Sequence, residues 1–372
     1  MHQDIGKVFT MKIRGFLKSS ERSPLHLNVC SLLLLSLALL LSPAEGYAVQ
    51  KPGTDNNASE KKIAVFTFEN LTEESGALNA VMPSVKSVLQ KEGFELLDEV
   101  SLDQFLIRER VRTTGYINSE LAQKMRNEFG VSAVLLGNVF RFSEDSNPQL
   151  GLSARLVDSS TGAIIWSNYA SATGDDFSGL LGLGRLNAIE ELLPKVINRL
   201  FAGFSTVPPS LKEKESTITI AVMPFLNKTT VPGAGMIPTY MFLVELFKNP
   251  VFVPLEYGDI RKVIENSRIK DKGEVEYKSI SEIAGDLKAD VILVGALEKY
   301  SDGRDTSSAP EVVISARLID ARKNRIVWCD SSEMNGDDNI SVLDWGKLRS
   351  VDKVAYRVVE QLAKRMGKTL QK

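Results

Sequence analysis

The hexapeptide Ser153-Ala154-Arg155-Leu156-Val157-Asp158 returns near the other end of the chain as Ser315-Ala316-Arg317-Leu318-Ile319-Asp320. Trp166 and Trp328 each follow the aspartate by eight residues. A motif of this length, recurring with the same spacing to a rare residue, marks an internal duplication. Whatever unit the first copy builds, the second must build as well. Alternation assigns the motif to a strand: Leu152, Ala154 and Leu156 share one side, and Ser153, Arg155 and Val157 the other. Thr161-Gly162 then turns the chain, and Ala163 to Ala170, with Trp166, pairs back as a hairpin.

The flanking segments repeat in the same order. Ile63-Ala64-Val65-Phe66-Thr67-Phe68 and Ile220-Ala221-Val222-Met223-Pro224-Phe225 are apolar, buried-strand runs, each followed by a turn carrying Asn70 or Asn227. Leu78, Val81, Met82, Val85, Val88 and Leu89 recur at helical spacing. Phe94 to Leu97 and Phe252 to Leu255 read as second strands. Ser101 with Gln104, and Ser279 with Glu282, fit capping boxes, while Asn118-Ser119 opens a helix that Gly130 ends. Val134-Leu135-Leu136-Gly137 matches Val291-Ile292-Leu293-Val294-Gly295, and helices from about Leu186 to Phe201 and from Val351 to Met366 close the copies. Each copy is therefore a β-α-β-α-α-β-β-β-α unit of the α/β (α+β) class with a mixed sheet, its last three strands mainly antiparallel. The predicted organisation is a signal peptide (1–48), a lead-in (49–61), repeat one (62–204), a Pro-Pro-stiffened linker (205–217) and repeat two (218–368).

The leader is basic (Lys7, Lys12, Arg14, Lys18, Arg22) and precedes a short apolar run, Leu32 to Leu41. That run is well short of the roughly 20 residues that span a bilayer, so it reads as a secretory signal with cleavage after Ala48 or, alternatively, after Gly46; an uncleaved anchor is the other reading, and Met11 is an alternative start. The only nearby cysteine, Cys30, lies before the run, so no lipid anchor is expected. Cleavage would remove His2 and His26 and leave Cys329 as the only cysteine. It would exclude His-dependent triads, His-ligated zinc and an intramolecular disulfide. A formal net charge of -2 offers no basic field for nucleic acid.

Several stretches invite a functional reading, and each has a plainer one. Gly179 to Arg185 is glycine-rich but lacks the Lys-Ser/Thr of a phosphate loop. Asp175-Asp176 and Asp337-Asp338 suggest a divalent-cation site, against turn and helix capping. Arg155 and Arg317 suggest an anion site, against cross-strand charge pairing. Trp166 and Trp328 suit packing better than ligand stacking. Ser350-Val351-Asp352-Lys353 has the Ser-x-x-Lys spacing without its companion motifs. Cys329 reads as a packed thiol. Asn57, Asn70, Asn227 and Asn339 lie in Asn-x-Ser/Thr sequons. Residues 231–238 and 300–311, where the copies differ, are where distinct binding is expected.

Ile-Ala-Val-Phe-Thr-Phe-Glu-Asn-Leu-Thr, its second copy, the Val-Leu-Leu-Gly strand, the Arg-Leu-Val-Asp strand, the Thr-Gly turn and the Trp strand together resemble CsgG/HfaB-like (curli-assembly) and TolB N-terminal-like bacterial envelope domains. The resemblance rests on Phe68, Asn70, Gly137, Arg155, Asp158, Trp166 and their counterparts Phe225, Asn227, Gly295, Arg317, Asp320 and Trp328. It implies a non-catalytic periplasmic interaction or assembly module, possible homo-oligomerisation and envelope or outer-membrane protein partners; from the residues themselves no cofactor, metal or nucleic acid is expected. An outer-membrane secretion pore subunit and an envelope enzyme acting on glycan through carboxylates are the alternatives.

Overall fold

In a computed structural model the described residues are 61–178, 183–204, 217–266, 277–303, 308–338 and 347–370, without the side chains of 277–281. The leader, the linker at 205–216, Asn57 and Asn339, Gly179 to Gly182, and residues 304–307 and 339–346 lie outside them. The described residues all belong to one compact unit.

The fold is α+β, with two mixed six-stranded sheets of the same topology. In the first, β1 (Lys62–Val65) runs parallel to β3 (Glu95–Leu96) and β4 (Ala133–Ser143), and β4, β5 (Gln149–Asp158) and β6 (Ile164–Thr173) form an antiparallel meander. Its helices are α1 (Ala77–Lys91), α2 (Glu99–Arg108), α3 (Ser119–Phe129) and α4 (Ile189–Leu200). The second sheet repeats this order with β7 (Ile218–Val222), β9 (Phe252–Pro254), β10 (Val291–Ser301), β11 (Glu311–Asp320) and β12 (Arg325–Asn335). Its helices are α5 (Met236–Lys248), α6 (Tyr257–Asn266), α7 (Tyr277–Leu287) and α8 (Val351–Leu370). Bulges fall at equivalent places in both copies, at Phe140 and Glu298.

The structure corrects several local readings. Glu69–Asn70 is a short strand, β2, parallel to β4 at Asn138 and Val139, and Leu226–Asn227 is its counterpart, β8. Asp98, not Ser101, caps α2: its carboxylate accepts the Ser101 N–H at 2.8 Å. Helix α7 begins at Tyr277, so Ser279 lies inside it. Helix α4 begins at Ile189, three residues later than the apolar pattern suggested.

Two of the paired signature residues explain each other. A Cβ on Gly137 would stand 2.4 Å from the Phe68 ring, and one on Gly295 would stand 2.2 Å from the Phe225 ring. Each sheet needs a glycine on its central strand so that this ring can cross it.

The two copies differ in what covers them. Helices α1 and α4 pack on one face of the first sheet, through Val81, Val85, Leu192 and Val196 against Leu135, Leu152 and Ala154. Helices α2 and α3 cover part of the other face, through Phe105 and Met125 against Phe66, Val134 and Val157. The rest of that face, on β5 and β6, lies against α5 and α8 of the second copy. Helices α5 and α8 thus sit between the two sheets. This location accounts for the composition of α5. Ile237, Tyr240, Met241, Phe242, Leu243, Val244 and Leu246 are all buried, as befits a helix apolar all round. Its counterpart α1 buries only one stripe.

Candidate functional site at the inter-repeat junction

Arg155 is the centre of the junction. Sheet alternation aims its side chain away from α1 and α4, at the second copy, where it is 0% exposed. Its Nε donates to Glu256 Oε2 at 3.0 Å and its Nη2 to Glu256 Oε1 at 3.2 Å. Nη2 also donates to the Gly115 carbonyl at 2.8 Å and Nη1 to Asn138 Oδ1 at 3.1 Å. The guanidinium lies over the Tyr240 ring, 4.8 Å from its centroid. A forked guanidinium suits this bidentate geometry, which an ammonium would not reproduce. The expectation of cross-strand charge pairing is thereby corrected. Arg155 stands opposite Leu136 and Ser167 in the sheet, and its partner comes from the other copy.

Glu256 follows β9 at the place where Asp98 follows β3. Asp98 caps its own helix; the longer Glu256 reaches Arg155 instead. Burial pushes the Glu256 carboxyl above the ordinary range, against the pull of Arg155. The next turn of α6 adds a second link. Asp259 Oδ1 accepts from the Ser119 N–H at 2.8 Å and the Ser119 hydroxyl at 2.9 Å, at the N-terminus of α3, where a carboxylate is favoured by the helix dipole. Lys262 pairs with Glu120 at 2.5 Å.

A second cluster joins α8 to β5 and β6. The Tyr169 hydroxyl donates to Asp352 Oδ2 at 2.8 Å, and its ring stacks on Tyr356 at 3.8 Å. Burial, with Asp352 beside it, holds the Tyr169 hydroxyl well above the usual tyrosine range, so it stays a donor. Gly151 makes this approach possible: a Cβ there would stand 2.0 Å from Asp352 Oδ2. The equivalent residue of the second copy is Val313.

The remaining candidates have structural partners. Asp176 accepts from Lys353 at 3.0 Å, and Asp175 pairs with Arg185 at 2.9 Å and Arg349 at 3.4 Å. Asp176 also accepts the Thr173 N–H in a capping box at 2.8 Å, Asp338 accepts the Asn335 N–H at 2.7 Å, and Asp337 pairs with Lys347 at 3.1 Å, so these acids take the turn and capping role and carry cation partners of their own. Ser350 is buried and donates to Asp352, so the Ser-x-x-Lys pair is split between two partners. Asn70 and Asn227 each accept the N–H and hydroxyl of the threonine two residues on. Asp158 and Asp320 accept the backbone N–H groups of their turns. Trp166 stacks on Phe201 at 5.7 Å, and Trp328 is buried in the second core. Arg317 and Cys329 are exposed on the second sheet, which corrects the packed-thiol reading.

A cavity of about 580 Å³ opens beside the junction. Glu69, Thr113 and Tyr116 line it from the first copy, and Phe225, Met236, Tyr240, Tyr257 and Arg261 from the second. Gly233, Gly235 and Met236, within the divergent stretch 231–238, belong to this wall, while Ile237 and Pro238 enter the core.

A family model described as putative lipoprotein GNA1162-like matches residues 54–202. The first repeat resembles these lipoproteins. This finding overturns the CsgG/HfaB-like assignment, which rested on a pattern of strands and turns, a signal that traces an architecture more readily than a family. It also leaves the expectation of no lipid anchor without support. No curated protein matches. Among solved structures, the PelC dodecamer from Paraburkholderia phytofirmans is 17% identical, over 41% of this chain and 91% of that one, with a TM-score of 0.29. Lipoprotein GNA1162 from Neisseria meningitidis is 21% identical, over 38% and 96%, with a TM-score of 0.28. The LpoB C-terminal domain from Escherichia coli is 19% identical, over 30% and 82%, with a TM-score of 0.25.

Proposed function

We propose that the chain is a non-catalytic interaction module of the bacterial cell envelope, exported to the periplasm, in which two copies of one fold are locked into a single binding body. The observation that carries this reading is the match of the first repeat to a putative-lipoprotein family model, on a chain whose leader reads as an export signal. The buried Arg155–Glu256 junction adds that the copies act together, since the face that the first copy would otherwise present is spent on the second. Partners are envelope or outer-membrane proteins, and self-association is part of the same reading.

The chemistry of the clefts favours binding over hydrolysis. A second cavity next to the first is lined by Glu109, Glu120 and Glu265. Glu109 is held below the ordinary carboxylate range by its hydrogen bond from Lys124, and Glu120 by its hydrogen bond from Lys262. Glu265 pairs with Arg261 at 2.8 Å. A general acid for glycan cleavage needs the opposite shift.

Capture from envelope extracts by the tagged full chain, after in-cell crosslinking, tests the proposal. Envelope proteins enriched over a tag-only control are expected. Recovery of none, or recovery of the chain wholly in the cytoplasmic fraction, would overturn it.

A further inference from the structure

We propose that the cavity at the junction is a recognition site for a basic side chain, a lysine or arginine presented by a peptide segment of the partner. This rests on the reading of the chain as an interaction module and names the chemistry that its cleft would take.

The argument begins with which polar groups in the cleft are already committed. Helix α5 points its N-terminus at the cavity, yet it offers no anion cradle. The Met236 N–H is taken by the Gly233 carbonyl at 3.0 Å, the Ile237 N–H by the Ala234 carbonyl at 3.1 Å, and Pro238 has none. Asn227 spends its amide on the Val231 carbonyl at 2.7 Å and its Oδ1 on Thr229. Arg261 is held by Glu265 on its own helix. Glu69 differs from these. Its Oε2 accepts from the Tyr240 hydroxyl at 2.8 Å and from Asn138 Nδ2 at 3.1 Å. It has no ion-pair partner among the described residues. Arg155 is linked to Glu69 through Asn138 and its charge acts on Glu69, but its bidentate contact is with Glu256, so two carboxylates share one buried guanidinium.

The walls complete the complementarity. Tyr116 and Tyr240 each stand edge-to-face with Tyr257, at 5.2 and 5.8 Å. With Phe225 and Met236 they give the cleft aromatic and apolar sides around one carboxylate. Such a site takes a cation on an aliphatic stem: the stem lies along the apolar wall, the rings attract the charge, and the carboxylate accepts from it. The second copy places Leu226 where the first has Glu69, so the site belongs to the first copy's sheet and is completed by the second.

The test uses the full chain and titrates Nα-acetyl-lysine methylamide by NMR, with n-butylammonium and butyrate as competitors. Saturable binding on the order of millimolar, displaced by n-butylammonium and not by butyrate, is expected. Glu69→Gln keeps an acceptor for Tyr240 and Asn138 and should weaken binding about tenfold or more. Tyr116→Ala should weaken it as well, with the melting temperature of each variant confirming a folded chain. No saturation by the lysine probe, equal displacement by butyrate, or unchanged affinity in Glu69→Gln would overturn the site. Capture of envelope proteins by Glu69→Gln at the wild-type level would also overturn it, while leaving the interaction reading in place.

Discussion

Strands β5 and β11 carry nearly the same residues and meet opposite fates. Along β5 every residue from Leu150 to Val157 is buried; along β11 burial alternates, with Val313 and Ser315 half-buried and Arg317 exposed. The alternating pattern is that of an antiparallel sheet covered on one side. The first copy departs from it because α5 and α8 lie on its second face. The differences between the copies follow from that cover. Where the first sheet has Asn138, Phe140, Gly151 and Tyr169, the second has Ala296, Glu298, Val313 and Ser331. Glu298 is free to pair with Lys228 at 2.9 Å in the open, whereas Phe140 packs into the second copy's core. A shared motif therefore specifies a strand and a turn, and the cover decides whether its arginine is solvated or becomes the buried centre of an interface.

The comparison is broken most severely at Arg155. Arg155→Met strands Glu256 as an unpaired buried carboxylate and should cost about 3–5 kcal/mol, read as a lowered denaturant midpoint. The same change at Arg317 should stay within about 0.5 kcal/mol. Replacing Arg155 and Glu256 together with apolar residues should restore much of the loss, because the desolvation cost goes with both charges.

Swapping the strand residues is the next test. Gly151→Val installs the second copy's residue against Asp352 and should destabilise by about 1–3 kcal/mol or more. Val313 is half-buried with no helix carboxylate against it, so Val313→Gly should cost about 1–2 kcal/mol, the backbone penalty plus part of one apolar side chain.

Helix α3 is capped at two points, by Asn118 from its own chain segment and by Asp259 from the other copy. Asn118→Ala should cost about 1 kcal/mol. Asp259→Ala should cost a similar amount, and only while the copies stay docked. Parallel thermal melts of the two variants would show whether the second cap is equivalent.

The smallest effect is the rim pair. Glu120 is held below its usual value by the hydrogen bond and charge of Lys262. Its contribution is therefore complete above the ordinary glutamate value of 4.5 and fades as pH falls through the lower folded value. The melting-temperature gap between wild type and Glu120→Gln should close in acid and in high salt.

Much of this architecture was legible in the residues. The duplication follows from the recurring hexapeptide and its constant spacing to Trp166 and Trp328, and the hairpin and the α+β class follow from alternation and turn residues, because those signals are local. The junction was not legible from the motif, since Arg155 and Arg317 have the same neighbours in sequence and differ only in tertiary cover. Two signals did point to it. Met236–Lys248 is apolar all round, unlike α1, and so needs a second surface to bury. Gly151 replaces a valine in the middle of a strand, which announces a close approach. Glu256 was harder to see, because the residue that follows the second strand is an acid in both copies, and only the extra methylene and the facing arginine turn a helix cap into an interface partner.

The central claim is that Arg155 and Glu256 make the two copies one cooperative body. Scanning calorimetry of the full chain without its leader measures this directly. The account predicts a single transition with equal calorimetric and van't Hoff enthalpies, which Arg155→Met splits into two. Two independent transitions in the wild-type chain, or an Arg155→Met chain that melts as one unit at the wild-type temperature, would contradict it.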